Sequence, residues 1–334
     1  MPHNFRAPRL ALAVLVLLTC IPSPAPASAA QADGERITTA TNVRLRNEPD
    51  TTGTDELGRL PLGVVVKVLE RSDGKQKVGE REDYWYLVSA PDGTKGWVFG
   101  ALTSPFAPAR REEIYRKLAS DRLANSSATF AELVDLVRFA ERAAKEVRQR
   151  EALADIELAR VHALARSLAS IGFEDLQKEP FQTWAKEREQ EIVYSEPAGQ
   201  WYVNSDLYWS LQQKYKDLPA GELAAWSGAE NPLPGECEGY LPCYLAAELM
   251  TKGKYLKLYP RGPHAREAFD SVAELLEAVA EDLKQPQPVY DVPREDRKDF
   301  QAAVAELRAL ITSVTHPKRD RALAQLDAIA RRFR

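Results

Sequence analysis

The rhythm of apolar and polar positions changes once along this chain. From Thr38 to Phe106 it has a period of two in short runs, the signature of half-buried strands. Asn42-Val43-Arg44-Leu45-Arg46 alternates polar and apolar, and positions 57–62 and 64–69 supply strand material on either side of Gly63, β-branched in the second run. Tyr84, Tyr86 and Val88 then alternate with Trp85, Leu87 and Ser89. Turn signals separate the runs at 47–53, at Ser72-Asp73-Gly74 and at Pro91-Asp92-Gly93. Gly96-Trp97-Val98 follows the last of these turns, so 84–100 reads as a tight hairpin. Short strands at this density from Thr38 to Phe106 predict a small β-barrel or sandwich. Positions 30–37 read as a short polar lead-in.

After Pro105-Phe106-Ala107-Pro108 the period lengthens to that of helices. Helices are predicted over 112–123, from Phe130, over 153–168 and over 181–192, with Thr129 and Glu132 spaced as a capping box. The stretch 191–203 reads as a β-hairpin around Ser195-Glu196-Pro197-Ala198-Gly199 and marks a possible sub-boundary near 190–204. Further helices are predicted over 206–215, 220–229, 245–258, 263–283, 294–314 and 317–333, with Gln285-Pro286-Gln287-Pro288 as a linker. The fold class expected is α+β multidomain, with a mostly α-helical domain over 108–334.

Asn42-Val43-Arg44-Leu45-Arg46, Leu60-Pro61-Leu62-Gly63, Trp85-Tyr86-Leu87-Val88 and Gly96-Trp97-Val98 stand in an order and spacing that resemble a bacterial SH3 domain at 38–104. The resemblance implies an SH3-like β-barrel: a noncatalytic module of exported bacterial proteins, often associated with peptidoglycan or with other proteins. A domain type of this kind hosts many functions, so the ligand does not follow from it. Tyr255-Leu256-Lys257-Leu258-Tyr259-Pro260-Arg261-Gly262, followed by His264-Ala265-Arg266-Glu267-Ala268, resembles the inter-helix junction of a tetratricopeptide-like repeat, seen once. An array needs about three copies to bury its faces, so the helical domain is expected to be repeat-like at most.

The N-terminus changes the picture of location. Arg6 and Arg9, the apolar run 10–21 and Ala27-Ser28-Ala29 predict a secretory signal over 1–29, too short to span a bilayer. Lipid anchoring through Cys20 is disfavoured because Thr19 is a poor match to the small residue that a lipobox requires. An exported chain, periplasmic or extracellular, is expected. The whole chain holds 45 basic and 49 acidic residues; without the leader's two arginines the balance is 43 against 49, a net charge of −6. That mild acidity offers no electrostatic footprint for nucleic acid or anionic lipid.

Candidate chemistry is sparse. Cys237 and Cys243, the two cysteines left after the leader, suit a disulfide in an oxidising compartment. A metal site would need further soft or imidazole ligands, and His162, His264 and His316 are not in paired spacing. A nucleophilic Cys237 is the sharper alternative, since cysteine endopeptidases of the cell wall often accompany bacterial SH3 domains. Such enzymes carry Asp-Cys-Ser-Gly, whereas Glu236 and Glu238 flank Cys237 here, and His264 lies at a helix start. No nucleophile elbow, phosphate loop or zinc helix is present, and no metal or cofactor is expected. The ligand-binding candidates are Tyr84, Trp85, Tyr86, Asp92 and Trp97, with Trp97 expected in the core and Tyr84, Tyr86 and Asp92 at the surface. Trp201, Tyr202, Tyr208, Trp209, Tyr215 and Trp226 form either an aromatic core or a partner-binding groove.

These features predict a noncatalytic envelope-binding adaptor. Its barrel would contact peptidoglycan or an envelope protein, and its helices a protein partner. A cell-wall peptidase with a divergent centre, or an accessory subunit of one, is the alternative.

Overall fold

A computed structural model describes residues 34–334. The expected leader at 1–29, with Cys20, lies outside the described residues. The N-terminal region contains β1 (Glu35–Thr38), β2 (Val43–Arg46), β3 (Glu56–Leu60), β4 (Val65–Arg71), β5 (Gln76–Val78), β6 (Arg81–Asp83), β7 (Trp85–Ser89), β8 (Lys95–Phe99) and β9 (Thr103–Phe106). Seven strands form one sheet in the order β3-β2-β8-β7-β4-β1-β9, and β5 pairs with β6 as a separate hairpin. Its outer strands β3 and β9 are not paired with each other, so the expected barrel is an SH3-like sheet left open. One edge, β9, carries Pro105, a residue with no N–H for a further ladder. Val43, Leu45, Leu60, Val66, Val88, Ala90 and Val98 still share one core across five strands.

The lead-in expected at 30–37 is corrected in part. Its residues 35–37 belong to β1, paired on both sides, with β4 and with β9. One alternation over four residues is too little pattern to read, but Ile37 is fully buried.

The helical region follows as α1 (Arg111–Leu123), α2 (Phe130–Glu146), α3 (Arg150–Ala169) and α4 (Phe181–Glu187), then the hairpin β10 (Ile192–Ser195) and β11 (Gln200–Val203). It continues with α5 (Asp206–Lys214), α6 (Pro219–Glu230), α7 (Leu241–Met250), α8 (Lys252–Leu258), α9 (Ala265–Asp282), α10 (Arg297–Ser313) and α11 (Arg319–Arg332). The capping box at Thr129 and Glu132 is formed in both directions. Two expected helices differ. The run 181–192 ends at Glu187 because Ile192 pairs with Val203. The run 245–258 starts earlier, at Leu241, and breaks at Thr251, whose backbone leaves the helical region.

The β domain is seated on α2. The Leu62 amide donates to Asp135 Oδ2 at 2.8 Å, and Arg142 Nη2 donates to the Leu62 carbonyl at 2.8 Å. Ile37, Leu62 and Phe106 share one apolar core with Tyr115 of α1 and Phe139 of α2. A second core runs from Ala225 on α6 to Phe333.

His162 of α3 ties the first core to α6. Its Nε2 lies 2.8 Å from Ser227 Oγ, and Ser227 Oγ lies 2.8 Å from the Leu223 carbonyl. The hydroxyl thus donates to the carbonyl and accepts from the imidazole Nε2–H of a neutral ring. Burial pushes the His162 pKa below its ordinary value, so the folded state favours the neutral ring. The unfolded chain takes up a proton as pH falls through about 6.5, and the folded chain does so only lower down. Stability is therefore expected to be level above that pH and to fall below it, by up to about 1.4 kcal/mol per pH unit. Denaturant unfolding from pH 5 to 8, with His162→Gln beside the parent, checks this: the variant should lack that part of the slope.

Candidate functional site

The five aromatic-hairpin candidates do not converge. β7 and β8 pair Trp85 with Phe99 and Leu87 with Trp97, which puts these four on one face of the sheet. Tyr86 packs against the opposite, inner face with Val88 and Ala90. Asp92 sits beyond the far end of the pair, in the turn, where its Oδ1 accepts from the Thr94 amide at 2.9 Å. That bond holds the Asp92 carboxyl below the usual carboxylate range. Asp92 is a turn-forming residue here.

The core assignment of the two tryptophans is the reverse of that expected. Trp85 is 2% exposed, whereas Trp97 is half-buried. Trp85 packs at a tilt against Phe99, with ring centroids 5.4 Å apart, and its Nε1 donates to Gln76 Oε1 at 3.0 Å. Gln76 belongs to the β5–β6 hairpin, which no sequence run announced. Trp85, one of the five ligand-binding candidates, is thus a core residue. Tyr84 and Tyr86 remain half-exposed, but each already carries a cation on its face: Arg71 at 4.3 Å over Tyr84 and Arg36 at 4.1 Å over Tyr86.

Trp97 instead belongs to a row that register draws across the outer face. Glu70, Leu87, Trp97, Arg46 and Glu56 are successive partners on β4, β7, β8, β2 and β3. Arg46 is 8% exposed and donates to Thr54 Oγ1 at 2.7 Å. This row, with Leu87 and Trp97 half-buried and Glu70 and Glu56 exposed, is one candidate surface.

The second lies where the sheet meets the helices. A cleft of about 520 Å³ has Val65, Phe106, Tyr115, Phe139 and Ala143 among its lining residues. Glu35, Lys67, Arg111, Arg142 and Glu146 line it too. Arg111 pairs with Glu146 at 3.4 Å, and the Tyr115 hydroxyl donates to the same carboxylate at 3.1 Å. Burial, reinforced by Glu146, pushes the Tyr115 pKa up to about 12, so the hydroxyl stays a donor. No linear motif marks this cleft, because its residues come from β1, β4, β7, β9, α1, α2 and the turns after Leu62 and Ser89.

The Asn42–Arg46 run, the Leu60-Pro61-Leu62-Gly63 connection and the β7–β8 hairpin hold the residues on which the resemblance rests. Residues 28–104 match the family model of the bacterial SH3 domain. No curated protein matches the chain. The outer row lies wholly on the SH3 domain, and the cleft is shared between the SH3 domain and the helices that follow it.

In the helical region Cys237 and Cys243 are joined as a disulfide, with Cα atoms 5.5 Å apart. The loop they close docks on the linker before α10: the Leu241 amide donates to the Asp291 carbonyl at 3.0 Å, and the Asp291 amide to the Gly239 carbonyl at 2.9 Å. Replacing both cysteines by serine should cost roughly 2 kcal/mol of stability for so short a loop. Hydrogen exchange should rise first at the Leu241 and Asp291 amides, and unchanged exchange there would count against the clamp.

His264 is far from a bare helix-start residue. Its ring stacks on Trp226 with centroids 4.5 Å apart, and its Nδ1 lies 3.0 Å from Glu222 Oε1, which the Tyr255 hydroxyl also reaches. These contacts lock the junction between α6, α8 and α9. Among the described residues, no group of His, Cys, Asp and Glu has the arrangement of a metal site. Within the aromatic segment, Trp209 and Trp226 pack half-buried against the second core. Tyr208 and Tyr215 are core residues. Trp209 and Trp226 are half-buried under lysines, Lys254 at 4.1 Å and Lys252 at 4.6 Å.

Proposed function

We propose that this protein is a noncatalytic cell-envelope adaptor whose SH3 domain contacts peptidoglycan or an envelope protein, while its helical region contacts a protein partner. The observation that carries this reading is the bacterial SH3 match over 28–104, a domain type that suggests a wall-binding module. Export is supported by the disulfide, which suits an oxidising compartment. Among the described residues no helix is long and apolar enough to cross a membrane. The peptidase alternative has less support, because the Cys237 sulfur is bonded to Cys243 and the His264 Nδ1 is engaged by Glu222.

Sedimentation of the leaderless chain with purified sacculi tests the proposal. The chain should pellet with sacculi and release no soluble wall fragments. Absence of pelleting would sink the wall-binding reading, and release of fragments would sink the noncatalytic one. Removing the SH3 domain is a poor control, since it would bare Phe139 and the rest of the shared core. Point variants on the two candidate surfaces are the better comparison.

A further inference from the structure

We infer that the cleft between the SH3 domain and α2 is the ligand site, and that it takes a carboxylate of a short wall peptide rich in small side chains. The inference rests on the wall-binding reading above and adds where and by what chemistry the wall is held.

Charge bookkeeping around the rim selects an anion. Arg111 and Glu146 neutralise each other. Lys67, Arg142 and Glu35 remain, and no ion pair joins either of these cations to a carboxylate among the described residues. Glu35 and Lys67 are direct partners across β1 and β4, so the surplus positive charge lies between β4 and α2. Arg142 is held in place by the Leu62 carbonyl through one guanidinium nitrogen, which leaves its other donors for a ligand. A guanidinium fixed this way loses little side-chain freedom on binding a carboxylate.

The remaining lining limits what accompanies that carboxylate. Val65, Phe106, Phe139 and Ala143 offer apolar surface, and Ser89 at the end of β7 and Pro91 in the turn after it contribute as well. About 520 Å³ falls within the range of small-ligand clefts and accommodates a few small residues rather than a polymer strand. Wall stem peptides have that chemistry: short, alanine-rich and ending in carboxylates. The cleft is also rigid by construction. Gly63 lies against Phe139 and the Leu62 amide is anchored to Asp135, so both walls are set before a ligand arrives.

The test is titration of the leaderless chain with muropeptides released from sacculi, beside the same preparation with its carboxylates converted to methylamides. Amide NMR shifts report the site and calorimetry the affinity. Binding should perturb the Val65, Lys67 and Ala143 amides. It should weaken about tenfold on amidation of the ligand and by a similar factor in Lys67→Gln. Lys67 is exposed, so its replacement leaves the fold intact, and Arg142→Lys is the second variant, keeping charge but losing the planar fork. Trp97→Ala should leave the affinity unchanged. Equal affinity for the amidated ligand, or shifts gathered around Trp97 and Leu87, would overturn the assignment. Sacculus pelleting without muropeptide binding would overturn the cleft while sparing the wall-binding reading, and failure of both would remove the two together.

Discussion

Gly63→Val is expected to unfold the junction between the SH3 domain and the helices, at a cost of about 3–5 kcal/mol when overpacking and backbone strain are combined. Gly63 has φ +76°, a left-handed conformation that a β-branched residue adopts only with strain. An ideal Cβ at this position would stand 2.1 Å from Phe139 Cδ2 and 2.4 Å from Cε2. Phe139 cannot swing clear, because it is 1% exposed and packed edge-on to Tyr115 with centroids 5.5 Å apart. The turn itself would have to lift from α2, and Leu62 would lose its bonds to Asp135 and Arg142 as it did so. Denaturant unfolding measures the loss, and limited proteolysis should show cleavage in the 106–110 connection of the variant. A variant as stable as the parent would mean that the sheet is not seated on α2 through this turn. Gly63→Ala, which keeps the φ strain and the clash but adds one carbon only, should fall between the two.

Trp85→Ala should cost about 3–5 kcal/mol, while Trp97→Ala costs less than about 1 kcal/mol. The contrast comes from burial, since the two residues share a face and a hairpin. Trp85 fills the space between Phe99 and the β5–β6 hairpin and gives its indole N–H to Gln76. Its loss leaves a cavity, and the hairpin loses the indole bond to Gln76. Trp97 keeps one side open to solvent. Thermal unfolding of both variants decides the matter. Similar destabilisation by the two would remove Trp97 from the open row across Glu70, Leu87, Arg46 and Glu56.

Local pattern was sufficient for most elements because they answer to local rules. The capping box at Thr129 and Glu132 is a contact between neighbours, and it formed as spaced. The β7–β8 hairpin follows from alternation closed by Pro91-Asp92-Gly93. The SH3 likeness was legible for the same reason, since its signature residues sit in short strands and turns. β1, β5 and β6 were missed, being three or four residues long and defined by their partners. The helix expected over 181–192 stopped early because Ile192 satisfies its backbone across the β10–β11 hairpin, a choice that helix period does not register.

The two tryptophans mark where alternation runs out. Period two says that Trp85 and Tyr86 face opposite ways, and register puts Trp97 on the side of Trp85. Neither says which side is covered. The cover over Trp85 is the β5–β6 hairpin, so its burial depends on residues nine positions away in sequence and on another element. His264 shows the same limit: beside proline at a helix start it read as exposed, yet Glu222 and Trp226 come to it from α6.

By itself the amino-acid sequence determined a β region resembling a bacterial SH3 domain, a helical region after 106, a pair of cysteines suited to a disulfide, and no motif of a familiar catalytic site. Each of these is written in spacing or composition over a few residues. Only the tertiary structure decided that the sheet stays open, that Trp85 is inside and Trp97 outside, and that Leu62 and Gly63 lock the sheet to α2. It alone assembled Lys67, Arg142 and the apolar lining of Val65 and Phe139 into one cleft. Those features depend on side chains tens of residues apart meeting across a packed junction, and no local period encodes such a meeting.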